Sequence, residues 1–97
     1  MSSTTTAIHE QSRPTLAAKA RLRFDRHQQR LLLLYPERGL LLNSAAADIL
    51  QLCTGLVTVQ TIVGMLSGRD SETPREVIAN QVLHFLSRLQ SRGLIEA

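Results

Sequence analysis

The stretch Arg30-Leu31-Leu32-Leu33-Leu34-Tyr35-Pro36-Glu37-Arg38-Gly39-Leu40-Leu41-Leu42-Asn43 decides how this chain is read. Leucine is a mediocre strand former, so local propensity alone says little. A helix through residues 30–42 would have to absorb Pro36, which lacks an N–H and clashes with the preceding turn, and also Gly39. Pro36 further biases Tyr35 toward an extended backbone. The segment therefore reads as two short strands, the first closing at Tyr35 and the second spanning Leu40-Leu41-Leu42, with Glu37-Arg38-Gly39 as the turn. Upstream, Ala20, Leu22 and Phe24 alternate with Lys19, Arg21, Arg23 and Asp25, the period of a half-buried strand. Arg26-His27-Gln28-Gln29 is polar and short enough for a hairpin loop. Three short strands in an antiparallel meander are expected.

Past Asn43 the period changes to 3.6. Asn43 or Ser44 suits a helix N-cap, and Ala46, Ile49, Leu50 and Cys53 fall on one helical face, with Gly55 as the stop. Thr58 can cap a second helix with Val59, Ile62, Val63 and Leu66 on its inner face and Gly68 at its end. Thr73-Pro74-Arg75-Glu76 has the form of a capping box with proline at the first helical position. This third helix should run to about Arg92, where Gly93 supplies a left-handed stop and Leu94 and Ile95 fold back onto the last turn. Its apolar stripe of Ile78, Val82, Phe85, Leu86 and Leu89, widened by Ala79 and Leu83, is broader than packing on two short helices requires. The expectation is an α+β fold, a three-stranded antiparallel sheet followed by a three-helix bundle, in a winged helix-turn-helix-like order. Residues 1–15, rich in Ser and Thr and closed by Arg13-Pro14, read as a disordered tail, and 16–97 as a single domain.

Ninety-seven residues bury a modest core, and with only Phe24, Tyr35 and Phe85 as aromatics that core is aliphatic. Stacking platforms for single-stranded nucleic acid are lacking. One cysteine cannot make an internal disulfide, and no run is long enough to span a membrane, so a cytoplasmic setting with no membrane partner is expected. The charge is uneven. Residues 20–43 carry five arginines against Asp25 and Glu37, a net +3, whereas residues 44–97 carry four arginines against five carboxylates, a net −1.

Catalytic chemistry is not legible. His9, His27 and His84 have no metal-ligand spacing, Cys53 sits on an apolar helical face, and no phosphate loop, triad or carboxylate pair is evident. The expectation is a non-enzymatic protein without metal or cofactor.

The leucine runs point to binding. A sheet with one wet face alternates apolar with polar, whereas residues 31–34 and 40–42 are apolar on both parities. One parity packs on the helices; the other needs cover from the chain's own helix or N-terminal segment, from a second copy in a homodimer, or from another polypeptide. A free edge at Leu40-Leu41-Leu42 invites strand addition. An edge alone is too weak. Roughly five ladder hydrogen bonds at about 1 kcal/mol each, with three buried side chains at about 2 kcal/mol each, barely exceed the ~9 kcal/mol of ordering six guest residues. Micromolar binding requires about 8 kcal/mol net. A side-chain groove beside the edge is therefore needed, and the broad face of the third helix is its natural wall.

Leu32-Leu33-Leu34-Tyr35-Pro36-Glu37-Arg38, Leu42-Asn43, Ala46-Ala47 with Ile49-Leu50, Leu52-Cys53 with Gly55, Thr58-Val59 with Ile62-Val63, and Val82, Phe85-Leu86, Leu89 and Gly93-Leu94-Ile95 follow one another in an order and spacing that resembles the PqqD family. The resemblance covers roughly residues 14–96. It implies a peptide chaperone of pyrroloquinoline quinone (PQQ) biosynthesis, a recognition element for a ribosomally made, modified peptide. Such a protein would bind the precursor peptide PqqA and present it to the radical S-adenosylmethionine enzyme PqqE, which cross-links a Glu and a Tyr of that peptide. The guest would lie as an added strand beside the third strand and third helix, which maps here onto Leu40, Leu41, Leu42, Asn43, Gln81, Val82, Phe85, Arg88 and Leu89. The family often has acidic residues where this chain has Thr54 and Gln81, which leaves open how a basic guest side chain is held.

Two alternatives stay open from the sequence. The same fold could serve a different modified peptide, or it could be a DNA-binding winged helix. The second suits the charge poorly, because the helical half is net negative and the third helix carries Glu76 beside Arg75, Arg88 and Arg92. No nucleic-acid partner is expected.

Overall fold

The computed structural model describes residues 7–36 and 38–97; the expectations for residues 1–6 and Glu37 lie outside the described residues. In chain order the elements are β1 (Thr15–Leu16), β2 (Arg21–Asp25), β3 (Arg30–Tyr35), β4 (Arg38–Leu41), α1 (Ser44–Gln51), α2 (Val59–Arg69), α3 (Arg75–Ser91) and β5 (Ile95–Glu96). β2, β3 and β4 form an antiparallel sheet in that order, with β3 in the middle. The three-strand, three-helix succession expected from the change of period is thus the observed architecture.

One register runs through the sheet. Leu33 lies opposite Leu22 on one side and Leu40 on the other, and Leu32 lies opposite Arg23 and Leu41. Arg38 and Gly39 belong to β4, paired with Tyr35 and Leu34, so the turn expected over Glu37-Arg38-Gly39 falls earlier. Gly39 suits its place because a Cβ there would come 3.2 Å from Leu34 Cδ2. The Asp25 carboxylate organises the β2–β3 loop by accepting the N–H groups of His27 and Gln28, at 2.9 and 3.3 Å.

Side chains alternate across the sheet. The parity of Leu33 faces the helices. Leu33 and Leu42 are buried with Ile49 and Leu50 of α1, Ile62 and Val63 of α2, and Val82, Leu86 and Leu89 of α3, while Leu22, Leu31 and Tyr35 pack at the margin. The parity of Leu32, Leu34 and Leu41 takes no part in this core.

Helix ends show how local chemistry sets boundaries. Asn43 caps α1, its Oδ1 accepting from Ala46 N at 2.8 Å. Thr58 caps α2 through Thr61 N at 3.2 Å. The capping box expected at Thr73 does not form. Thr73 Oγ1 instead donates to Asp70 Oδ2 at 2.7 Å, and Pro74 is an N-cap without a side-chain hydrogen bond. Asp70 also accepts from Glu72 N and Thr73 N. A carboxylate is the stronger acceptor, and it gathers the turn between α2 and α3 around itself. Two glycine stops are likewise displaced. α1 ends at Gln51, ahead of Gly55, and α2 continues through Gly68 to Arg69. Gly93 does stop α3. Its φ is 74°, its N–H donates to Gln90 O, and Leu94 N donates to Leu89 O, both at 2.9 Å, the paired bonds of a Schellman ending.

The main departure is at the N-terminus. Residues 7–15, which the sequence places in a disordered tail, make specific contacts with the helices instead. Val59 N and Gln60 N, in the first turn of α2, donate to Ser12 O and Glu10 O at 2.9 Å. Helix starts leave such donors unpaired, and here a distant segment supplies their acceptors. Ile8 and Pro14 are buried, His9 Nδ1 accepts from Gln11 N, and Glu10 pairs with Arg75 at 3.4 Å. β1 then pairs antiparallel with β5, Leu16 opposite Ile95, and Ala17 N donates to Leu94 O. The segment thus ties the start of α2 to the end of α3.

Deleting residues 1–12 is expected to remove about 4 kcal/mol of stability, from two helix-start hydrogen bonds and the Ile8 side chain. Urea unfolding monitored by circular dichroism would show this as a lower midpoint.

Candidate functional site

A groove of about 470 Å³ opens on the helical side. Ala46 and Ile49 of α1 form one wall, and Ile78, Gln81, Val82 and Phe85 of α3 form the other. Leu66, Arg69 and Asp70 close one end, and Asn43, two residues beyond β4, stands at the border with the sheet. The walls share one cause: apolar positions three and four apart on α1 and α3 face each other across the helix–helix gap. The volume lies in the range of sites that take up small molecules or side chains.

Charge is confined to the mouth. Arg69 Nη1 and Asp48 Oδ2 lie 3.4 Å apart, both side chains substantially exposed, an arrangement that adds little stability. Asp70 is held below the usual carboxylate range, first by the Thr73 hydroxyl and then by the Glu72 N–H. Cys53 lies apart from the groove. Its Sγ contacts Ile49 O at 3.3 Å, and burial pushes the thiol up to about 12.

The nine residues mapped from the sequence are not all brought together. Asn43, Gln81, Val82 and Phe85 line the groove. Val82 shows it only an edge, since the side chain is almost wholly buried. Leu42 and Leu89 are core residues, and Arg88 is exposed outside the lining. Leu40 and Leu41 point to opposite faces. Leu40 shares the helix-facing parity with Leu33 and is 36% exposed, and Leu41 lies with Leu32 on the outer face. Sequence reasoning missed Ala46, Ile49 and Ile78, since the small and branched residues of a core stripe do not reveal which of them border an opening.

β4 has β3 on one side only. Because Leu42 N donates to Leu31 O, alternation turns the backbone groups of Leu40 toward β3 and those of Gly39 and Leu41 outward. The open edge therefore offers two N–H and two C=O groups, and it runs into the groove at Asn43. β2 is the other edge, but its alternate positions are Arg21 and Arg23, charges of the kind that discourage pairing.

Residues 30–95 match the family described as Coenzyme PQQ synthesis protein D (PqqD). The chain belongs to the PqqD family. Curated relatives named PqqA binding protein include one from Rhodopseudomonas palustris strain BisB5, 37% identical over 95 residues, covering 98% of this chain and 92% of that protein. Another, from Bradyrhizobium diazoefficiens, is 33% identical over 89 residues, covering 92% of this chain and 85% of the relative. Among solved structures, the chain is similar to the PqqD truncation of Methylobacterium extorquens PqqCD, described as a functional, stand-alone recognition element for ribosomally synthesized and post-translationally modified peptides. That likeness has a TM-score of 0.78 and 30% identity, covering 95% of this chain and 97% of that one. PqqD membership fits a fold whose open strand edge runs beside an apolar groove.

Two measurements check the electrostatics. Cys53 in the folded protein is expected to resist an aromatic disulfide reagent at pH 8 and to react at once in denaturant, because the thiolate is the reactive form. Asp70→Ala should destabilise the α2–α3 turn. Since folding depresses the Asp70 pKa, the stability difference between wild type and variant should hold at neutral pH, begin to shrink as pH falls toward the ordinary aspartate value of about 3.9, and vanish below the depressed one.

Proposed function

We propose that this PqqD protein is a peptide chaperone of PQQ biosynthesis. It binds a PqqA-like precursor peptide as an added strand on β4 and presents it to a PqqE-like radical S-adenosylmethionine enzyme. The observation that carries the reading is the continuity of the open β4 edge with the groove at Asn43. The names of the relatives and the recognition-element neighbour support it. The guest backbone would pair with Gly39 and Leu41, which fixes direction and register but not sequence. Specificity would come from guest side chains lying over Leu40 and entering the groove between Ile49 and Phe85. Gln81, exposed on the α3 wall, offers a neutral amide that can both donate and accept. Arg88, outside the lining, would meet only a guest longer than the groove.

This role requires binding without turnover, and the groove is chemically suited to it. Its described side chains are mostly apolar, and its charged pair sits at the mouth. Among the described residues no helix is long and apolar enough to cross a membrane. We place the protein in the cytoplasm, where the lone buried thiol Cys53 needs no partner. The DNA-binding alternative is weakened by the arginines themselves. Arg69 and Arg75 are ion-paired to Asp48 and Glu10, and the start of α3 is acidic at Glu76.

Addition of a PqqA-like peptide should shift the backbone amide NMR signals of Gly39–Asn43 and of Ile78–Phe85 together. Shifts confined to the first residues, or none at saturation, would refute strand addition beside α3. Leu40→Lys should weaken the peptide by about tenfold, the effect of losing one partly buried leucine contact. Leu41→Lys, on the other face, should change it far less, as read by titration calorimetry.

A further inference from the structure

The face of the sheet turned away from the helices carries three half-buried leucines. Leu32, Leu34 and Leu41 share it, with Arg23 opposite Leu32 and Arg21 opposite Leu34. None of these leucines joins the core cluster. A shallow depression of about 590 Å³ opens over Leu32 and Leu34, bounded by Arg23, Asp25, Arg26 and His27, with Phe24, 52% exposed, at its rim. Arg21, Arg23 and Arg26 are exposed, and no described carboxylate forms an ion pair with them. Asp25, the one acid of β2, already serves the loop N–H groups. The face is therefore a half-buried leucine centre whose rim carries three exposed arginines, Arg21, Arg23 and Arg26, against one carboxylate, Asp25.

Charge decides among its occupants. A second copy placed by a two-fold axis would set this net-cationic patch against the same patch, which is unfavourable. A nucleic acid would satisfy the arginines but leave three leucines facing phosphates. A protein surface with carboxylates around an apolar centre satisfies both, in the usual plan of an apolar core and a polar rim. The precursor peptide does not compete for this face, since strand addition at β4 lengthens the sheet sideways and the groove lies on the helical side.

We infer that the outer face of the sheet is the docking surface for a folded protein presenting an acidic-rimmed apolar patch. It is distinct from the peptide site, so that peptide and enzyme are held at the same time. The inference rests on the reading of the chain as a presenter of peptide to an enzyme, and it assigns that enzyme to Arg21, Arg23, Leu32, Leu34 and Leu41.

The test uses the full chain, a PqqA-like peptide, and the radical S-adenosylmethionine enzyme of the same pathway as the probe. Wild type should bind the enzyme with an affinity that falls as salt rises from about 0.05 to about 0.5 M. Arg21→Glu combined with Arg23→Glu should weaken the enzyme complex by about tenfold or more. The same variant should keep its peptide affinity, which also reports that it is folded. Independently of any variant, enzyme added to wild type should perturb the amides of Arg21–Asp25, Leu32 and Leu34. The inference is overturned if the double variant binds enzyme as wild type does, or if wild type forms no salt-sensitive complex. It also fails if the enzyme perturbs only the helices, or if these arginines prove to hold a second copy or duplex DNA. Loss of peptide binding in wild type would instead sink the presenter reading itself, whereas intact peptide binding with an indifferent enzyme contact sinks only the docking face.

Discussion

The register of β3 against its two neighbours is the constraint from which the rest of the structure follows. With Leu33 opposite Leu22 and Leu40, one parity of leucines meets the helices and becomes core. A slip of one residue would set Leu33 opposite Arg21 or Arg23 on the same face, so that either the arginines of β2 enter the core beside Leu33 or Leu33 leaves it. Burying two unpaired guanidinium groups costs far more than burying leucine returns, so the arginines of β2 fix the register as firmly as the leucines of β3 do. The same register turns the polar backbone of Gly39 and Leu41 outward, and so determines what the open edge presents.

A second dependence runs through the N-terminal segment. A domain this small has few layers, and its helices need partners at their ends as well as on their faces. Ser12 and Glu10 supply acceptors to the first turn of α2, while β1 pairs with β5 directly after the Gly93 stop. The segment joins the beginning of one helix to the end of another, beside the α3 that forms one wall of the groove.

Much of this was legible beforehand. The change of period at Asn43 marks the sheet-to-helix boundary, and Gly93 marks the end of α3, because both rest on chemistry within a few residues. The packing of residues 7–16 was not legible. Its hydrogen bonds go to residues nearly fifty positions away, and Ile8 and Pro14 in a run of small polar residues carry no period. The capping box at Thr73 was misread for a related reason. Its hydroxyl had two acceptable uses, and the nearby Asp70 carboxylate, which accepts three donors at once, decided between them. Among the mapped site residues, Asn43, Gln81, Val82 and Phe85 converge, but Leu42 and Leu89 pass into the core. A helical stripe names the buried side of a helix without saying which of its members border an opening.

The sequence by itself determined that this chain has a leucine sheet apolar on both parities, with more such surface than one layer of helices can cover. That follows from composition and from Pro36 and Gly39, which make a helix there costly. Only the tertiary structure decided which leucines face the helices, which edge stays open, and where the outer parity meets the arginines. Those outcomes depend on pairing partners remote in sequence. A strand's own residues fix that its faces alternate, but the neighbour's register fixes which face is which.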